Sequence, residues 1–75
     1  MKKQYAEYYK KLGLNIAYYR KEAGLTQQQL GDTLEIEQAH LSKIERAKTG
    51  ISLDLLFAIS EVLAAPIHKL MEFRD

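Results

Sequence analysis

TQQQLGDTLEIEQAHLSKIE, residues 26 to 45, is the stretch whose reading decides the fold. Leu30 and Leu34 stand one helical turn apart, and Leu41 and Ile44 recur at helical spacing, which predicts two short helices with apolar inner stripes. Leu34, Glu35 and Ile36 make a tight turn between them. Thr26 marks the start: its hydroxyl can accept from free backbone amides, and Gln29 three residues on completes the capping-box spacing. Gln38, His40 and Lys43 cover the opposite, polar face. Gly31 costs helix propensity, but the missing side chain lets the second helix approach closely. Glu37 opens that second helix where a carboxylate meets the positive helix end.

Upstream, apolar residues fall at 5, 9, 12, 16, 19 and 23, the alternating steps of four and three of an amphipathic helix. One long first helix is expected, with residues 1–11 as an N-terminal helical extension. Gly13 sits inside it at some cost in propensity. Gly24, able to take the left-handed conformation, closes it, and Arg20 and Lys21 suit the negative end of its dipole. Tyr5, Tyr8, Tyr9, Tyr18 and Tyr19 crowd this segment. Their rings either cover the small core with hydroxyls in water or present a partner surface at the start of the helix.

Downstream, Ala47 to Gly50 form a loop, and Ser52 is a good N-cap for a fourth helix with Asp54 in its first turn. Leu53, Leu56, Ile59, Ser60 and Leu63 mark its core-facing stripe, leaving Leu55, Phe57 and Val62 off it as oligomer-contact candidates. Pro66 starts a last helix, where its missing amide costs least. Ile67, Leu70 and Met71 fall on one side of that helix, with Phe73 near the same patch. The expectation is an all-α fold of five helices, without strands, in one domain spanning residues 1–75.

Seventy-five residues place the chain near the lower size limit of a single core, where every apolar position counts. With 47% hydrophobic and 28% charged residues it is too apolar for disorder. The absence of cysteine excludes disulfides and Cys-based zinc sites. No signal-length apolar run follows Met1, and no eighteen consecutive apolar residues occur. A cytoplasmic, non-membrane protein is expected. His40 and His68 form no convincing metal cluster, and no phosphate-cradling glycine loop or nucleophile constellation appears, so neither enzyme, metal, cofactor nor small-molecule ligand is expected.

The net charge of +1 is unevenly spread. Residues 1–24 carry six Lys or Arg against two Glu, giving +4. Residues 25–45 carry Lys43 against Asp32, Glu35, Glu37 and Glu45, giving −3. Residues 46–75 balance four basic against four acidic groups. A helix-turn-helix is used widely to lay its second helix in the DNA major groove. Here the phosphate attraction of such a device must come largely from outside the motif.

Three pieces then carry a family resemblance: IAYYRKEAGLTQQQL (16–30), LSKIERAKTGISL (41–53) and LLFAISEVL (55–63). At this mutual spacing, residues 12–71 resemble the helix-turn-helix domain shared by Cro, the lambdoid phage repressors and the Xre-like bacterial regulators. The resemblance implies a five-helix lambda-repressor-like domain, here with an extended first helix. It also implies an ion pair between Arg20 and Glu45 that ties the reading helix to the scaffold. Removing one partner of such a pair costs about 3 to 5 kcal/mol when it is well buried.

By the same resemblance, Gln38, Ala39, His40 and Lys43 read bases, while Gln27, Ser42, Arg46, Lys48 and Thr49 face phosphate. The chemistry is suitable: Gln38 can pair with adenine, Ala39 can touch a thymine methyl, and Lys43 can reach guanine. The amide of Gln27 lies beside free backbone N–H groups at a helix start. His40 either donates to a base or phosphate or is simply exposed. Glu37 either accepts from a cytosine amino group or stays at the helix start. Glu35 and Ala47 stand where the family usually has glycine, and a positive φ there costs roughly 1 kcal/mol. Ala65 and Pro66 also depart from the family pattern.

Two functions follow. One is a sequence-specific transcriptional regulator that binds double-stranded DNA as a homodimer, through Leu55, Val62, Met71 and Phe73 of the C-terminal helices, on a palindromic operator. The other is a protein-interaction module on the same fold, an antitoxin-like or partner-binding regulator, motivated by the acidic motif and the tyrosines.

Overall fold

The computed structural model describes residues 1–73. A 3-10 turn at Lys3–Tyr5, closed by the Tyr5 amide donating to the Lys2 carbonyl at 3.0 Å, leads straight into α1 (Ala6–Glu22). The long N-terminal helix therefore forms, its first turn wound more tightly than the rest. After it come α2 (Gln27–Leu34), α3 (Gln38–Glu45), α4 (Leu53–Leu63) and the single turn α5 (Ile67–Leu70), with no strand among the described residues. The all-α, five-helix expectation holds.

Each helix sends one large side chain fully into the same core: Ile16, Leu30, Leu41, Ile59 and Leu70. Around them lie Leu12, Ile44, Leu56, Leu63 and Ala65, with Leu34 and Ile36 half-buried against the cluster. The apolar stripes of the motif thus do what their spacing predicts. The α4 stripe is shorter than expected. Leu56, Ile59 and Leu63 are buried, but Leu53 is 66% exposed because the first residue of α4 projects beyond the edge of the core. Ser60 is half-buried and its hydroxyl donates to the Ala65 carbonyl at 2.6 Å.

The turns between helices repeat one device. At the end of α1, the Leu25 amide donates to the Arg20 carbonyl and the Gly24 amide to that of Lys21, the paired bonds of a Schellman motif. Ile36 and Glu35 do the same at the end of α2, Lys48 and Ala47 after α3, and Ala65 and Ala64 after α4. The motif requires a left-handed residue, and only the first turn has glycine for it: φ is 76° at Gly24, 59° at Glu35, 58° at Ala47 and 52° at Ala64. Positive φ at Glu35 and Ala47 is the geometry their departure from the family's glycines points to. Ala64 is a third case.

Two close approaches fix the layout. A Cβ on Gly13 would lie 2.5 Å from the Glu45 carbonyl oxygen and 2.7 Å from that of Ile44, so α1 and the C-terminal end of α3 cross with their backbones nearly touching. Gly13 is a packing requirement, more than the propensity cost its sequence position suggests. Gly31 plays the anticipated role for the motif: a Cβ there would sit 2.9 Å from the Ile36 carbonyl oxygen, against the turn that delivers α3. On the other side of α1, the Asn15 side chain donates to the carbonyls of Leu70 (2.8 Å) and Glu72 (3.1 Å), holding α5 in place.

Candidate nucleic-acid interface

Thr26 and Gln29 form the complete capping box at the start of α2. The Gln29 amide donates to the Thr26 hydroxyl at 3.0 Å, and the Thr26 amide donates to Gln29 Oε1 at 2.9 Å. This fixes where α2 begins and makes Gln27 its first residue. Gln38 is likewise the first residue of α3. Glu37 is the N-cap of α3, but its carboxylate makes no capping hydrogen bond, so its contribution there is confined to charge.

Behind these two glutamines lies the buried pair. Arg20 and Glu45 are each 8% exposed, and the guanidinium meets the carboxylate bidentately: Nε donates to Oε2 at 2.7 Å and Nη2 to Oε1 at 3.1 Å. Arg20 Nη1 also donates to the Leu25 carbonyl at 2.9 Å. Fork-to-carboxylate geometry of this kind combines charge with orientation. Because no buried side-chain polar atom among the described residues lacks a partner, the pair carries no uncompensated group.

The network continues outward from there. Gln27 Nε2 donates to Glu45 Oε1 at 3.0 Å, and Gln27 Oε1 accepts from Gln38 Nε2 at 3.0 Å. The direction of each amide follows from chemistry. A carboxylate only accepts, so Gln27 must turn its nitrogen toward Glu45 and its oxygen toward Gln38. Gln38 must then give a nitrogen proton to Gln27, keeping its own oxygen and second proton for an outside partner. The sequence places both glutamines at helix starts but does not reveal that they touch. The half-buried Gln27 side chain is committed within the protein rather than extended alone toward phosphate.

On the outer face of α3, Gln38, Ala39, His40 and Lys43 are all exposed. The structure brings these four side chains onto one accessible helix beside the start of α2. Ser42 is half-buried, and Arg46 Nε donates to its hydroxyl at 3.2 Å and its carbonyl at 3.4 Å, so these two act as a unit. Lys48 is exposed and Thr49 half-buried in the loop after α3, whose path is set by the Lys48 amide donating to the Lys43 carbonyl at 2.7 Å. The N-terminal segment lies against this loop: Met1 Cβ and the ring and hydroxyl of Tyr9 lie 3.8 to 3.9 Å from where a Gly50 Cβ would stand.

The tyrosines differ in burial and in what their rings meet. Tyr19 is half-buried against the core, and Tyr18 meets it edge-on at 5.0 Å between ring centroids. Tyr5 and Tyr8 are exposed and stacked at 6.3 Å, and Tyr8 stacks on Phe73 at 6.0 Å. These last rings border an open apolar groove of about 480 Å³ between the start of α1 and the start of α4. The four dimer candidates divide too: Val62 and Met71 are exposed, whereas Leu55 and Phe73 are half-buried against the core.

Among the described residues there is no cluster of His, Asp and Glu that could hold a metal ion, and no helix is long and apolar enough to cross a membrane. Residues 16–70 match the family model described as helix-turn-helix. The chain is 34% identical over 65 residues to the HTH-type transcriptional regulator SinR of Bacillus licheniformis, a match covering 85% of this chain and 59% of that protein. It is 34% identical over 62 residues to SinR of Bacillus subtilis (strain 168), covering 81% of this chain and 56% of that one. The chain therefore spans less than two thirds of the length of either relative.

Proposed function

The chain belongs to the helix-turn-helix family, and on that premise we propose that it is a sequence-specific DNA-binding transcriptional regulator of the cytoplasm, with α3 as its reading helix. The observation that carries this reading is the unbroken line of hydrogen bonds from the buried Arg20–Glu45 pair through Gln27 to Gln38 at the exposed start of α3. Such a line holds a polar side chain at the exposed end of α3 ready for a hydrogen-bonding partner. Direct base readout needs a donor and an acceptor held side by side at the groove, which is what Gln38 retains.

In this reading Gln38, Ala39, His40 and Lys43 meet base edges. Ser42, Arg46, Lys48 and Thr49 hold the flanking backbone, with Gln27 using its second amide proton toward the same phosphates. The protein works as a homodimer on a palindromic operator, its two reading helices entering successive major grooves about 34 Å apart. Val62 and Met71 supply exposed apolar surface for that contact. The names of the two relatives support the regulator role.

Selection from a random-sequence DNA pool at moderate salt tests the reading. Enrichment of an inverted repeat is the expected result, and failure to enrich any motif would sink it. Sedimentation of the free protein checks the second element: a strict monomer that selects a non-repeated site would remove the dimer. Co-purification of a stoichiometric protein partner, with DNA binding insensitive to Gln38→Ala and Lys43→Ala, would instead favour an interaction module.

A further inference from the structure

The helix-turn-helix itself is poor in positive charge. Residues 25–45 carry Lys43 alone against Asp32, Glu35, Glu37 and Glu45, and Glu45 is neutralised by Arg20. A DNA-binding face normally gains most of its affinity from Lys and Arg at phosphates. The N-terminal segment holds unused charge, and its placement is specific. Met1 and Tyr9 border Gly50, so the segment packs on the loop that carries Lys48 and Thr49. Lys2 and Lys3 are exposed there and make no ion pair with any described residue. The Tyr9 ring is half-buried against the loop, and its hydroxyl makes no hydrogen bond to another described residue.

We propose that the segment Met1–Tyr9 is a second phosphate-contacting element, in which Lys2, Lys3 and the Tyr9 hydroxyl extend the grip of the Arg46–Gly50 loop along the DNA backbone. This rests on the reading of α3 as a DNA-reading helix and adds a contact outside the motif. The Gly13 crossing seats α1 on the end of α3, and Met1 and Tyr9 then lie against Gly50 at the far end of the loop that follows α3. A phosphate between loop and segment meets a neutral donor from Tyr9 and positive charge from the lysines. The element reads no base, so it supplies affinity without sequence preference.

The salt dependence of binding to the selected operator measures this directly, because log K falls with log salt by about 0.9 per phosphate neutralised on duplex DNA. Replacing both Lys2 and Lys3 with Gln is expected to make the slope shallower by about 1 to 2 while leaving the selected sequence unchanged. Tyr9→Phe keeps the ring against the loop and removes the donor. It is expected to weaken binding about tenfold at fixed salt with the slope unaltered, the size of one hydrogen bond to a charged group.

Lys69→Gln is the control. Asn15, which holds α5, is two residues from Gly13 and so points about 200° away around α1, placing Lys69 on the side opposite α3. A slope for the Lys2 and Lys3 variant equal to that of the Lys69 variant, or a changed sequence preference, overturns the proposal. Wild-type affinity for Tyr9→Phe removes the hydroxyl from it. A chain that enriches no motif on DNA pools yet shows the slope difference on random duplex would sink the regulator reading and leave this element standing.

Discussion

Gln27 holds Gln38: the two side-chain amides meet at 3.0 Å, with the Gln27 oxygen accepting, because the other end of Gln27 is bound to the Glu45 carboxylate. The direction of this relay is dictated by a buried charge, and it makes Gln27 a positioning residue for its neighbour. Gln27→Ala is therefore expected to relax preference at the base pair that Gln38 reads, losing part of the 1 to 3 kcal/mol that a good bidentate contact provides. Competition binding against single-base operator variants checks this. The effects of Gln27→Ala and Gln38→Ala should be strongly non-additive at that one position. Additive effects, or loss spread evenly over all sequences, would assign Gln27 to phosphate alone.

The ion pair behind the relay has a separate signature in stability. Glu45→Ala leaves the Arg20 guanidinium buried with only the Leu25 carbonyl as a hydrogen-bond partner. The expected loss is about 3 to 5 kcal/mol, a large fraction of the stability of a domain this small. Urea denaturation with unchanged m-value reads it. Replacing both partners with apolar residues of similar volume, Arg20→Met with Glu45→Leu, should recover much of the loss, because the desolvation cost disappears with the charges. DNA selectivity should not recover, since Gln27 then has no carboxylate to orient it.

Two glycines of α1 and its end separate steric from conformational demand. Gly13→Ala would put a methyl 2.5 Å from a backbone oxygen of α3, a clash that only a shift of the helix can relieve. A loss of about 1 to 3 kcal/mol is expected, as for overpacking elsewhere. Gly24→Ala meets nothing within 4 Å but must hold φ near 76°, so about 1 kcal/mol is expected from backbone strain alone. Parallel thermal melts rank them. A Gly13→Ala protein as stable as wild type would show that the two helices do not cross so closely.

Much of this layout is legible in the sequence, and the reasons differ by kind of interaction. Local chemistry reads well: the Thr26–Gln29 capping box, the Ser52 cap and the Gly24 turn each depend on residues within a few positions. The family resemblance anticipated the Arg20–Glu45 pair. Contacts between distant backbones are silent in a single sequence. Nothing near Gly13 announces the Ile44 and Glu45 carbonyls, and nothing near Asn15 announces the last helix. Leu53 fails for another reason. Helical periodicity locates a face, but it does not say where along its length the face stops being covered. Gln27 and Gln38 are each recognisable at a helix start, while their mutual bond depends on the angle at which α2 delivers α3.

The three non-glycine left-handed turns offer a last test. Glu35, Ala47 and Ala64 all sit at the position of a Schellman motif where the side chain crowds the backbone, and the hydrogen bonds of the motif hold each of them there. Glycine at each site removes that strain at some cost in unfolded-state entropy. Glu35→Gly, Ala47→Gly and Ala64→Gly are each expected to stabilise by about 0.5 to 1 kcal/mol, raising Tm by roughly 2 to 8 °C for a domain of this size. The three turns share no partners, so the gains should add. Ala64 lies far along the chain from the motif, so its substitution should leave operator affinity unchanged. Glu35 and Ala47 border α3, where relief of strain also alters how the helix is held. A triple variant with unchanged Tm would mean that these turns relax without cost. A stabilised triple variant with altered salt slope is resolved by the single variants: a change in Glu35→Gly reports the lost carboxylate, and a change in Ala47→Gly reports the turn that sets the path of the Lys48 loop.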